Sequence, residues 1–232
     1  LKSIYNLKHF ISSINKVIMQ PIKNNSSLLK TILGLYMFLI IVSTVNDFIT
    51  LHILNNFGNG IIPDYVDQFD DYTTVFNILF LVTLISIFII SGVWLYRSHK
   101  RLRFWGVENL KFSDGSCVWW YFVPFMALFK PYQTMRETWF ASQKPSNWSL
   151  SSSPMLLKIW LGLWIFSNMM DSAYARLSFK VDSEDLNALA FLTNFSIFSN
   201  IFDFLSALMF FLVVKQVNEM QMAYQNSIQA TQ

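Results

Sequence analysis

Long apolar runs separated by short polar, charged stretches make up most of this chain. Residues 72–96 carry no charged side chain and are bounded by Asp71 and Arg97. About 20 apolar residues cross the hydrocarbon of a bilayer, so this run by itself predicts a transmembrane helix. A first span is predicted over 28–53, where apolar character resumes past Asp47. A third, 155–175, is interrupted by Lys158 and Asp171, although Lys158 lies close enough to the end to snorkel to the interface. A fourth runs over 186–214 with Asp203 as its only charge. The run 117–129 is too short to cross and has Pro124 in its middle, so it is expected to dip into the interface. The pattern therefore predicts an all-α fold. A single integral membrane domain, 1–232, forms a four-helix bundle with a loop over 97–154 and a tail over 215–232.

Two flanking elements follow from the same periodicity. Ile4, Leu7, Ile11, Ile14 and Ile18 share one face of a helix over 1–20, with Lys2, Lys8 and Lys16 on the other side, and Pro21 ends it. A basic amphipathic helix of this kind suits an anionic leaflet, or equally a packed position against the protein's own inner loop. In the loop, Pro131 suits the first turn of a helix running to about Gln143. Tyr132, Met135 and Trp139 would give it one apolar side, with Arg136 and Glu137 towards water. Segment 117–143 as a whole is expected to lie at the interface and cap the inner ends of the spans.

Composition agrees with a lipid environment. Hydrophobic residues are 53% of the 232 and charged ones only 13%, whereas a soluble domain carries roughly 25% charge. Mean hydropathy is +0.38. The single Cys117 excludes an intrachain disulfide framework and any Cys-rich metal site. A net charge of +3 gives no general basis for nucleic-acid binding. The basic residues are, however, unevenly placed. Of 17 Lys and Arg, all but Arg176 and Lys180 fall up to Lys30, between Arg97 and Lys158, or at Lys215. The positive-inside rule then puts both termini in the cytoplasm and the protein in the cell's inner, cytoplasmic membrane. Thirty residues precede the first apolar run and no small-residue cleavage site follows it, so the first span is expected to stay as an anchor. Asp64, Asp67, Asp70 and Asp71 in one outer loop, and Asp182, Glu184 and Asp185 in the other, form an acidic rim without the spacing of a calcium loop.

Candidate chemistry falls in two places. Arg97, Lys100, Arg101 and Arg103, with His99 among them, follow the second span directly. Trp119, Trp120 and Tyr121 then suit headgroup depth. Inside the bilayer, the third span carries Ser167, Asn168, Asp171 and Ser172 on one face. The fourth carries Ser196, Ser199, Asn200, Asp203 and Ser206. Such stripes pack helices together, but an intramembrane carboxylate also marks a functional candidate. Asp203 is expected in the inner half of the membrane, and Asp171 nearer the outer face, within reach of Arg176.

The stretch 94–142 adds a resemblance. VWLYR (Trp94, Arg97), KFSDG (Phe112, Ser113, Gly115), WWYFVP (Trp119, Trp120, Pro124) and KPYQTMRETW (Pro131, Tyr132, Arg136, Glu137, Trp139) together resemble the signature of domain of unknown function 4328. The resemblance implies a multi-pass bacterial membrane protein and supplies no activity. Ala127 stands where a polar Asn is expected, Phe129 where Trp is usual, and basic residues follow Arg97 where an Asn is common. These departures weaken any polar site in this loop.

No HExxH pair, Walker loop or GxSxG elbow is present, and His9, His52 and His99 lie in different segments. The expectation is a non-catalytic protein with no cofactor, no metal and no nucleic-acid partner. It would engage membrane lipids, a protein partner or a second copy through Arg97, Trp119, Trp120, Pro124, Pro131, Arg136 and Trp139. The alternative is a small oligomeric transporter or channel that uses Asn168, Asp171, Asn200 and Asp203, with Asp203 as the proton or cation site.

Overall fold

The structure, a computed structural model, describes residues 25–120, 129–145, 148, 154–182 and 184–230. The amphipathic helix predicted over 1–20 and Pro124 lie outside the described residues. Those described are helical, with no strand among them: α1 (Ser26–Gly58), α2 (Val66–Phe104), α3 (Ser116–Trp119), α4 (Lys130–Gln143), α5 (Met155–Ser178) and α6 (Leu186–Ala230).

Among the described residues three helices, α1, α2 and α6, are long and apolar enough to cross a membrane. Each is longer than the run that predicted it. α6 has 45 residues, about 68 Å at 1.5 Å per residue. The expected third span coincides with α5, whose 24 residues reach about 36 Å. Lys158, Asp171 and Arg176 interrupt it, and it is not among the three helices apolar enough to cross.

Helix ends follow local chemistry. Asp185 precedes α6, and its Oδ1 accepts from the backbone N–H of Asn187 and Ala188 at 3.1 and 3.0 Å, the side-chain capping that first-turn amides require. α2 ends where Gly106 takes φ +75°. There the Gly106 N–H donates to Arg103 O and the Val107 N–H to Leu102 O, at 3.0 and 3.1 Å. This pairing closes a helix with a left-handed glycine, and Leu102 and Val107 pack together in a small core beside it.

α6 is the organising helix, with α1 and α5 packed along it and α2 against α1. The α5–α6 register is antiparallel. Trp160 stacks on Phe210 at 5.3 Å, Ser167 Oγ donates to Asp203, and Ser199 Oγ donates to Asp171 at 3.0 Å. α2 exposes Val75, Ile78, Val82, Ile85 and Ile89 along one side, an apolar surface that only lipid or another apolar partner solvates well. The main core lies at one end of the long helices. There Leu29 and Leu33, Trp94 and Leu95, Cys117, Met135 and Trp139, Leu157 and Val213 meet. α3 and α4 close this end as a cap.

Candidate functional site

The cap is built on the continuation of α2 beyond its apolar run. Trp94, Leu95, Ser98, His99 and Leu102 are buried, recurring at the i, i+4 spacing that keeps one helical face inward. His99 is 0% exposed. Its Nδ1 lies 2.8 Å from Asp114 Oδ1 and its Nε2 3.1 Å from Glu137 Oε1, so each ring nitrogen is within hydrogen-bond distance of a carboxylate oxygen.

Glu137 does more than face His99. Its Oε2 accepts from the Lys111 N–H at 2.8 Å and its Oε1 from the Phe112 N–H at 3.2 Å. The FSDG turn is thereby tied to α4. On the other side Asp114 Oδ1 accepts from Arg103 Nε at 3.1 Å, while Arg103 Nη2 donates to Phe112 O at 2.8 Å. Partial burial raises the Asp114 pKa, but the hydrogen bonds and charges of His99 and Arg103 outweigh it and hold the carboxyl below the usual carboxylate range. Cys117 lies next to this cluster. Burial, then the charges of Glu137 and Asp114, push its thiol up to about 12, which leaves it inert. A second tie reaches α6, where Arg101 Nη1 donates to Gln221 Oε1 at 3.0 Å. Gln221 Nε2 donates to Ser98 O and Ser142 Oγ at 3.2 and 2.9 Å.

Beside the cluster a groove of about 420 Å³ opens, lined by Lys111, Phe112, Gln133, Arg136, Glu137, Phe140 and Trp148. Trp148 is pinned as a wall by its Nε1, which donates to Glu108 O at 3.0 Å.

The second polar region lies along α6. Asp47 Oδ2 accepts from Ser196 Oγ at 2.9 Å and from Asn200 Nδ2 at 3.1 Å. Asp171 accepts from Ser199, and Asp203 from Ser167. The three carboxylates thus join α1 and α5 to one stripe of α6, each through neutral donors.

Several expectations change against this geometry. Glu137, expected towards water, is 4% exposed, because the three donors around it compensate its burial; Arg136 beside it is exposed as expected. A polar cluster does form beside this loop, from His99, Asp114 and Glu137; Ala127 lies outside the described residues. Trp139 and Pro131 are buried and face the core. Trp119 is 66% exposed, Trp120 is partly buried, and Arg97 donates to Asn25 Oδ1 at 2.5 Å. Asp171 is held by Ser199 and not by Arg176, one helical turn of α6 from Asp203. Asn168 takes no part in the stripe, since its Nδ2 donates to Trp164 O of its own helix at 2.6 Å. Asp47, His99, Asp114 and Gln221 were not singled out as site residues. A His within reach of several carboxylates was the one available signal, and its partners lie 15 and 38 residues away.

Long apolar helices that meet in a polar, charge-paired cap define an all-helical protein of membrane type. The chain belongs to the family described as Domain of unknown function (DUF4328), whose model matches residues 59–219. That match runs from the end of α1 through the cap into the last turns of α6. Comparison with curated proteins and with solved structures finds no match.

Proposed function

We propose that this is a non-catalytic, four-span protein of the cell membrane whose cytoplasmic cap engages anionic lipid headgroups. The observation that carries this reading is the surface of the cap. Trp119 and Phe129 are 66% and 65% exposed, and beside them the Lys130 ammonium lies 5.5 Å from the Trp120 ring and 5.4 Å from the Phe112 ring. Exposed aromatics next to cations suit headgroup depth, where amphipathic rings and basic side chains both gain.

Topology supports four crossings. Gln221 of α6 meets Ser98 and Arg101 of α2, so these two helices finish side by side. Two crossing helices that run in the same direction require a return crossing between them, and α5 is the described helix of sufficient length. A non-catalytic role is favoured by the sealing of the two reactive side chains, His99 and Cys117, inside the cap.

The test is reconstitution into nanodiscs of neutral phosphatidylcholine, with and without phosphatidylglycerol. The anionic lipid should raise the unfolding temperature of the wild type, and Trp119→Ala with Lys130→Gln should remove most of that gain. Equal stability in both lipids would reject headgroup engagement.

A second reading, proton or cation transport, draws on the three carboxylates along α6. Their hydroxyl and amide donors favour a packing role instead. Asp203→Asn protein with normal flux in liposomes would exclude an essential charge at that position.

A further inference from the structure

The groove beside the charge cluster has an unusual balance of polar groups. Its one carboxylate, Glu137, is engaged: Oε1 takes two hydrogen bonds and Oε2 one, from His99, Phe112 and Lys111. Gln133 Oε1 accepts from Lys130 Nζ at 3.2 Å, which turns the donor half of the amide loose. Lys111 and Arg136 line the same groove, both exposed, and neither pairs with a carboxylate among the described residues. The Arg136 guanidinium lies 5.2 Å from the Phe140 ring centre, a cation–π contact that uses the ring face and not the guanidinium's hydrogen-bond donors. The uncommitted side-chain groups are thus mainly donors, two of them cationic. A ligand that fits them must accept hydrogen bonds and carry negative charge. Phe112, Phe140 and Trp148 form the walls, and the volume exceeds what a bare oxyanion fills, so an apolar or neutral part enters with the charge.

We propose that this groove binds the phosphate group of a phosphate ester, with Lys111 and Arg136 as its cationic ligands, Gln133 as a neutral donor and the aromatic walls against the ester's organic part. The tie from Glu137 to the Lys111 and Phe112 amides holds the turn that presents Lys111, so the site is built before the ligand arrives. This rests on the reading of the cap as headgroup-facing for one of two sources, a lipid phosphate; a soluble phosphate ester offers the same chemistry.

The two sources separate in one experiment on the full chain in phosphatidylcholine nanodiscs. Glycerol 3-phosphate is added to the solution in one arm, and phosphatidic acid is included in the disc in the other. Binding is read as broadening of the probe's phosphorus NMR line. The wild type should broaden at least one probe. Lys111→Gln with Arg136→Gln should weaken that binding at least tenfold, and Lys158→Gln, an exposed cation outside the groove, should leave it unchanged. Response to phosphatidic acid alone assigns a lipid source; response to glycerol 3-phosphate assigns a soluble one and counts against the headgroup reading of the groove. No response to either probe, or a double variant that binds as the wild type does, overturns the proposal. Because Trp119→Ala alone removes no residue that lines the groove, its effect on the anionic-lipid gain lets headgroup engagement by the cap surface stand or fall separately.

Discussion

In the cap, Glu137 accepts from an imidazole and two backbone amides, and Asp114 from the same imidazole and Arg103. Along α6, Asp47, Asp171 and Asp203 accept from three serine hydroxyls and one asparagine amide. Both regions bind carboxylates to side chains far away in sequence, yet one uses cations and the other avoids them. The difference follows from where each lies. The cap begins where α2 leaves its apolar run, in the cluster of Arg97, Lys100, Arg101 and Arg103, so cations are at hand, and Arg103, which pairs with Asp114, is half exposed. A cation in the middle of a span would itself be costly to insert, and serine or asparagine supplies a donor at small cost while also packing helices closely. The cap should therefore be sensitive to loss of one partner, and the stripe tolerant of an amide in place of an acid.

The largest effect should come from Glu137→Ala. It strands the His99 ring and two backbone amides in a buried site, at about 1–3 kcal/mol for each buried group left without its partner. Thermal unfolding in nanodiscs would read it as a clear drop; an unchanged midpoint would mean that the cluster is not a unit.

The same variant should open Cys117. In the wild type its burial and raised pKa should keep it nearly unreactive to maleimide at pH 7.5, and in Glu137→Ala the labelling rate should rise by about tenfold or more. Fast labelling of the wild type would contradict the packing of α3.

Strong acid should weaken the cap. The folded-state pKa of Asp114 is depressed, so its contribution is present above the ordinary aspartate value of about 3.9 and is lost as pH falls through the lower, folded value. Protection of the Lys111 and Phe112 amides against hydrogen exchange, corrected for intrinsic rate, should hold from pH 7 to pH 4 and weaken only as pH falls below the ordinary aspartate value of about 3.9 towards the lower, folded one. Protection lost already between pH 6 and pH 5 would show that a group other than Asp114 secures the turn.

The smallest change belongs to the stripe. Asp203→Asn keeps an oxygen acceptor for Ser167 and strands no cation, so stability should shift by no more than about 1 kcal/mol. A loss as large as that of Glu137→Ala would erase the distinction between the two regions.

These two regions also show what sequence can carry. The long helices were legible because hydropathy and periodicity are local, and the helix from Pro131 to Gln143 was legible from one proline and three apolar positions. Membership in the family was legible from the WWYFVP and KPYQTMRETW runs. The cap's chemistry was not. His99 looked like one more basic residue in a stop-transfer cluster, and Glu137 looked solvated because the i, i+3, i+7 pattern of α4 gave its neighbours, and not Glu137, the inward face. Burial of Glu137 depends on amides contributed by a turn 25 and 26 residues earlier, which no periodicity encodes. Asp47 was read as a blemish in an apolar run for the same reason, since its donors lie 149 and 153 residues away.

The central claim, a charge-paired cap on one side of four crossings with the carboxylate stripe between its two faces, is tested most directly by side-specific cysteine labelling. In a Cys117→Ser background, single cysteines at Asp64, Lys144, Asp182 and Glu219, all exposed, would be challenged with a membrane-impermeant maleimide from outside the cell. The account predicts that Asp64→Cys and Asp182→Cys react, and that Lys144→Cys and Glu219→Cys stay protected until the membrane is opened. Labelling of Asp182→Cys only together with Lys144→Cys would mean that α5 does not cross, and would contradict it.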